Sequence, residues 1–129
     1  MGKFAEYLDG KVYSCKHCRT NLARHQDIMS KQYEGTSGPA YLFTSVVNVK
    51  CQEPRLAVLW SGQHSISAVQ CSTCSTDLGW KYVRVSSPSQ RFKEGKFLIE
   101  SAYTFKENRW HLSYSRSLLK SQGKDKLKT

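Results

Sequence analysis

The chain lacks an unbroken apolar run of roughly 18 residues, so no membrane-spanning helix is expected. Its opening, Met1-Gly2-Lys3-Phe4-Ala5-Glu6, lacks the apolar stretch and small-residue cleavage site of a secretory signal. Helix signals are also poor, with at most a short turn near Ser89–Lys93. No cysteine follows Cys74, and the H-x-E…P-C-x-x-C pattern of zinc deaminases is missing. Acidic residues are few: 10 Asp plus Glu stand against 20 Lys plus Arg, a formal net charge of +10. Such an excess points to nucleic acid, to an acidic partner, or to nothing more than a basic tail. What is present fits an ordinary globular domain. Hydrophobic residues make up 39% and charged residues 23% of 129 residues, which excludes a fully disordered chain and leaves room for one domain.

The charge is uneven. Residues 1–80 hold eight basic and six acidic side chains, whereas residues 81–129 hold twelve and four. The segment 113–129 is Ser- and Lys-rich without a large apolar face. It reads as a basic flexible tail with a weak helical turn at Ser117–Lys120. The expected organisation is an N-terminal extension at 1–9, a folded domain at 10–112 and the tail at 113–129. A core of that size is marginal on hydrophobic burial alone and gains from a staple.

Cysteine supplies one. Cys15-Lys16-His17-Cys18 and Cys71-Ser72-Thr73-Cys74 are two C-x-x-C pairs separated by 52 residues. Each pair makes a tight knuckle that aims two sulfurs at one ion, and two knuckles make a tetrahedral four-cysteine zinc site. Paired disulfides fit less well, because no secretory signal is seen and Cys51 is left over. A thioredoxin-like site would need one pair and a βαβ setting. A closed site of four thiolates has no position for water or substrate, so its zinc is structural. With Zn²⁺ bound it carries about −2, which Lys16 and Arg19 are placed to offset.

The remaining pattern is strand. Phe97, Ile99, Ser101, Tyr103 and Phe105 alternate with Leu98, Glu100, Ala102, Thr104 and Lys106, a period of two that predicts one strand. Tyr41–Val49 is β-branched and aromatic. Leu56, Val58 and Trp60 share one strand face; Leu78, Trp80 and Tyr82 share another. Turns are marked at 35–39, 52–54, 61–62 and 86–88. The fold class is mainly β: antiparallel sheets meeting at a zinc.

Taken together, these residues resemble the Yippee family over about 10–110. The spacing of the two cysteine pairs, Gly38, Leu42, Asn48 and Gly62 between them, the Gly79-Trp80-Lys81-Tyr82 element and Lys93-Glu94-Gly95-Lys96-Phe97 all match its pattern. Asn21 stands where members usually have His, Ala68 where many have Asp, and Trp60 where an aliphatic residue is common.

The resemblance implies a β-tent, two antiparallel sheets pinned by zinc on Cys15, Cys18, Cys71 and Cys74. That fold is similar to the ligand-binding domain of cereblon, the Mis18 Yippee domain, the RNA-binding domain of RIG-I-like receptors and methionine-R-sulfoxide reductases. Carried over by position, a cereblon-type ligand or peptide groove would be walled by Trp60, Ile66, Trp80 and Tyr82, with Ile66 in place of one expected Trp. The resemblance also implies a non-catalytic adaptor of nuclear or cytoplasmic location, tied to cell growth and division and, in some members, to a GID/CTLH-type ubiquitin ligase.

The enzyme reading is weak. Cys51 is the single thiol outside the pairs, with only Lys50 as a neighbouring cation. His25 and His64 are expected to make hydrogen bonds at turns, and His17 to be solvated. An RNA-binding alternative rests on basic residues interleaved with Phe92, Phe97, Tyr103, Trp110 and Tyr114. A small-ligand or modified-peptide reader is the further alternative.

Overall fold

The computed structural model describes residues 5–60 and 62–109. The expected basic tail, its helical turn, Trp110, His111 and Tyr114 lie outside them. Among the described residues, ten strands follow one another with three short 3-10 turns between them. They are β1 (Gly10–Cys15), β2 (Asn21–Arg24), β3 (Ile28–Glu34), β4 (Pro39–Phe43), β5 (Val49–Cys51), β6 (Arg55–Leu59), β7 (Gly62–Cys71), β8 (Asp77–Val85), β9 (Phe97–Glu100) and β10 (Thr104–Arg109). They form two antiparallel sheets. The smaller runs β10-β1-β2; the larger runs β3-β4-β9-β8-β7-β5, with β6 also paired to β7.

Both knuckles sit where strands end. β1 delivers Cys15 and β7 delivers Cys71, each buried, so the sheets converge at the sulfurs. Around them pack Tyr13, Leu22, Ala23, Phe43, Val69, Leu78 and Ile99. A second cluster, Ala40, Leu42, Ile66, Tyr82, Val85 and Leu98, lies farther along the larger sheet. β8 links the two, with Leu78 in the first and Tyr82 in the second. Gly79 lies between them at φ 154°, and a Cβ there would come within 1.9 Å of the Leu98 carbonyl oxygen. Only glycine lets β8 and β9 approach this closely.

Two expected strands are corrected. The alternating run 97–106 is not one strand: it breaks at a 3-10 turn over Ser101–Tyr103, so β9 belongs to the larger sheet and β10 to the smaller. Alternation carries through the turn because both halves have one buried face, and so it hides the change of sheet. The Tyr41–Val49 strand stops at Phe43. Beyond it Thr44 N–H donates to Asp27 O, Val47 N–H to Leu22 O, and Asn48 turns the chain at φ 58°. The short 3-10 turn over Pro88–Lys93 lies where the sequence predicts one.

Asn48 has a second task. Its side-chain oxygen accepts the Glu6 N–H, and its amide donates to Glu6 O and Asn21 O. Asn21, itself buried, accepts the Leu8 N–H and donates to Ser14 Oγ, whose hydroxyl donates to Glu107. The segment ahead of β1 is therefore held in place, with Leu8 buried.

Candidate metal centre and groove

Cys15, Cys18, Cys71 and Cys74 bring their sulfurs within 4.8 Å of one another. Cys15 and Cys74 are 3.6 Å apart, as are Cys18 and Cys71. Disulfide sulfurs lie near ~2.05 Å, so these are not bonded pairs. A tetrahedron with metal–sulfur bonds of ~2.3 Å has edges of about 3.8 Å, and the observed separations fit one zinc ion.

The knuckles are built alike. Arg19 and Ser75, each just past the second cysteine, are left-handed at φ 68° and 63°. Arg19 N–H donates to Cys15 O, and Ser75 N–H to Cys71 O. Cys15 N–H closes onto Thr20 O, and Cys71 N–H onto Thr76 O. The Thr20 and Thr76 hydroxyls lie 3.0 Å from Cys18 Sγ and Cys74 Sγ. Burial raises the Cys15 thiol and pushes Cys71 up to about 12. Burial also raises Cys74, but the hydroxyl and N–H of Thr76, with Cys18 and Cys15, outweigh it and bring this thiol to about 6. The metal-free knuckles thus hold protons at neutral pH that zinc must displace. Lys16, His17 and Arg19 are exposed, and the Arg19 guanidinium lies over the Phe105 ring, 5.1 Å from its centre.

Cys51 is exposed at the end of β5 and outside this cluster. His25 sits at a 3-10 turn and meets the Tyr13 hydroxyl at 2.9 Å, as expected. His64 does not sit at a turn. It is buried within β7, edge-on to Tyr82, because that strand starts at Gly62 and runs through it.

The second feature is a cavity of about 940 Å³ over the second apolar cluster. Trp60, Ile66, Trp80 and Tyr82 all line it, brought from the end of β6, from β7 and from β8. Their roles differ. Ile66 and Tyr82 are buried, Trp80 is half-buried, and Trp60 stands fully exposed at the rim instead of forming a packed wall. Trp60 follows the edge strand β6, whose Leu56 and Val58 are exposed too, so nothing among the described residues packs over that face. Trp80 and Tyr82 meet edge to face, with ring centres 6.2 Å apart. The Trp80 indole N–H is buried without a hydrogen-bond partner in good geometry. Tyr33 and Lys93 also line it, with Glu34 and Arg55 among the charged residues there.

A family model described as Yippee zinc-binding/DNA-binding/Mis18, centromere assembly, matches residues 11–111. The chain belongs to the Yippee family. It is 47% identical to yippee-like 3 of Homo sapiens over 109 residues, covering 83% of this chain and 92% of that protein. It is equally similar to a yippee-like protein of Caenorhabditis elegans, 80% of which is covered. Among solved structures, the Mis18 Yippee-like domain superposes with a TM-score of 0.64 at 12% identity, covering 80% of this chain and all of that one, which shows the shared fold. Its cofactor is one structural zinc, consistent with the four gathered cysteines.

Two kinds of site residue in this Yippee chain fall outside the reading by cysteine spacing. Thr20 and Thr76 carry a signal that could have found them, since the sequence repeats C-x-x-C-x-T at both knuckles. Lys93 carries none. A lysine in a polar turn reads as solvated, yet it is 4% exposed with its ammonium 5.3 Å from both the Tyr33 and Tyr82 ring centres.

Proposed function

We propose that this Yippee-family chain is a non-catalytic, zinc-stapled adaptor that captures a segment of a protein partner in the cavity over Trp80 and Tyr82. The observation that carries this reading is the convergence of Ile66, Trp80 and Tyr82 on one concave site of mixed apolar and polar lining away from the sulfurs. A concave site where aromatic and apolar walls meet polar groups is the default place for a small domain to bind. The closed tetrad and an exposed, isolated Cys51 offer no arrangement for catalysis. From the family resemblance we extend the reading to a nuclear or cytoplasmic regulator of growth and division, one whose partners include subunits of a GID/CTLH-type ubiquitin ligase.

Affinity purification with wild type, Trp80→Ala and Cys51→Ala tests it, with bound zinc measured on each. Partners retained by Cys51→Ala and lost from zinc-loaded Trp80→Ala support the groove; identical sets for all three place the interface elsewhere. The nucleic-acid alternative keeps less of its aromatic surface. Tyr103 and Phe97 pack against the core, while Phe92 is exposed. RNA binding that falls steeply with salt would revive it.

A further inference from the structure

The two sheets face each other across Tyr13. Its ring meets Tyr41 and Phe43 of β4, with centres 5.8 and 5.6 Å away, so the face of β1 that carries Tyr13 looks at the larger sheet. Strand register and the two-residue period then fix which other side chains share that face. Lys106 stands directly opposite Tyr13, and Lys11 lies two residues before Tyr13 on β1. On the larger sheet, Phe43, Phe97 and Lys81 stand in one row across β4, β9 and β8. The Lys31 and Lys81 ammonium groups lie 6.0 and 5.5 Å from the Tyr41 and Phe97 ring centres. Four lysines, two from each sheet, therefore belong to the faces that the sheets turn toward each other.

His25 senses this charge. Its ring stacks on Tyr13 with centres 5.9 Å apart, and its Nδ1 lies 2.9 Å from the Tyr13 hydroxyl. Burial lowers the His25 pKa, and the charges of Lys106, Lys31 and Lys11 lower it further. Among the described residues no carboxylate offsets them at this ring. The carboxylates of β9 and β10 lie on the opposite faces of their strands. Glu100 stands opposite Ala40, and Glu107 opposite Val12, where it accepts the Ser14 hydroxyl. Lys11, Lys31 and Lys106 are exposed, within reach of a partner.

We propose that this basic face docks an extended, acidic segment of a protein partner. The proposal goes beyond the groove reading, because Trp80 and Lys81 are neighbours on β8 and look to opposite sides of the sheet. Charge complementarity selects an anion, since positive and negative surfaces steer one another together. The register selects an extended chain. Lys11 and Lys106 are diagonal neighbours across β1 and β10, a relation that sets side chains about 7–8 Å apart. Alternate side chains of an extended peptide recur about every 7 Å on one side, so acidic residues at alternate positions meet these lysines in turn. A single-stranded nucleic acid fits less well, because it also needs open ring faces for its bases. Here Tyr41 and Phe97 pack on the core with a lysine over each ring, and His25 covers Tyr13.

The test uses the full-length, zinc-loaded chain and three probes: an end-capped octapeptide of alternating Glu and Ser, its Gln-Ser counterpart, and an oligothymidylate of equal charge. The Glu-Ser peptide should bind at low salt, weaken as salt screens it, and outbind both other probes. Lys11→Gln with Lys106→Gln should weaken it about tenfold, a few-fold for each exposed pair. Lys124→Gln with Lys126→Gln removes the same charge from the C-terminal segment and should change it less than about twofold. Zinc content and melting temperature show that each variant is folded; Lys31→Gln with Lys81→Gln is the second pair if the first loses zinc. The His25 ring resonances should move as the peptide binds, with a raised pKa, because bound carboxylates counter the three lysines. Equal weakening by the two double variants, a silent His25, or no binding of the Glu-Ser peptide would overturn the proposal. Tighter binding of the oligothymidylate through the same lysines would overturn it in favour of nucleic acid. None of these failures touches the groove, which lies on the other side of the sheet.

Discussion

At one end of the larger sheet, Cys15 and Cys71 are buried among Tyr13, Phe43 and Leu78, with hydroxyls from Thr20 and Thr76 at the sulfurs and both knuckles closed by backbone hydrogen bonds. At the other end, the same sheet buries an ammonium against two phenol rings, sets the Trp80 indole edge to face with Tyr82, and exposes Leu56, Val58 and Trp60. The first end is satisfied by its own residues once an ion is added. The second leaves the apolar side chains of an edge strand uncovered by any described residue. The contrast separates a region that closes on itself around an ion from one that leaves aromatic and apolar surface open.

The largest break of this contrast is removal of zinc. Binding contributes on the order of 10 kcal/mol in zinc-finger peptides, as much as the whole net stability of a typical domain, about 5–15 kcal/mol. A strong chelator, or Cys71→Ser, should unfold both ends together, read by circular dichroism. The chelator should act faster as pH falls, because the raised Cys15 and Cys71 thiols regain their protons when the ion leaves. An unchanged melting temperature after verified zinc loss would show that the tetrad is not the staple.

Next comes Gly79→Ala, at the point where β8 passes from one cluster to the other. Its Cβ would meet the Leu98 carbonyl, and its φ of 154° is strained for any other residue. A loss of roughly 3 kcal/mol or more is expected, in line with backbone strain added to a steric clash. Urea unfolding checks it; a loss under ~1 kcal/mol would mean that β9 can move away.

Thr76→Val keeps the shape of the knuckle and removes the hydroxyl at Cys74. Supporting groups of this kind are worth about 10–100-fold in metal affinity, so zinc competition should show a weaker site with the fold intact. Thr20→Val should do the same, given the matching 3.0 Å contact at Cys18. Unequal effects would mean that the two knuckles are alike in geometry only.

The smallest effect is read through pH. Burial lowers the Lys93 pKa from its ordinary 10.5. The unfolded chain therefore binds the extra proton between the lowered value and 10.5. Wild-type stability gains as pH rises through that window, a gain that Lys93→Met should lack. A gain of equal size in Lys93→Met would place the titrating group elsewhere.

The fold class was legible because a closed site of four thiolates and half-buried strands each impose a short, local spacing. The tetrad is written in two C-x-x-C gaps, and Trp80 and Tyr82 share a face through a period of two. The sheet change at Ser101–Tyr103 was hidden, since both sheets demand the same alternation on either side of it. Lys93 and Glu100 were hidden for another reason. Each is a charged residue in or beside a turn, yet each is buried at 4% exposure: Lys93 against rings from β3 and β8, Glu100 as acceptor for the N–H groups of Thr36 and Ser37. The rings and N–H groups they meet on β3, β8 and the 35–38 turn are not adjacent in the chain, and composition carries no sign of them.

What the amino-acid sequence alone determined is therefore the staple: four sulfurs, their spacing, and the alternating strands that need them. Which residues line the cavity together, that Trp60 stands at its rim, and that Lys93 is buried against the Tyr33 and Tyr82 rings were decided only by tertiary structure. Local periodicity governs which face of a strand is buried, but the meeting of β3, β6, β8 and the 93–96 turn depends on how a seven-stranded sheet curves, and that is settled by long-range packing.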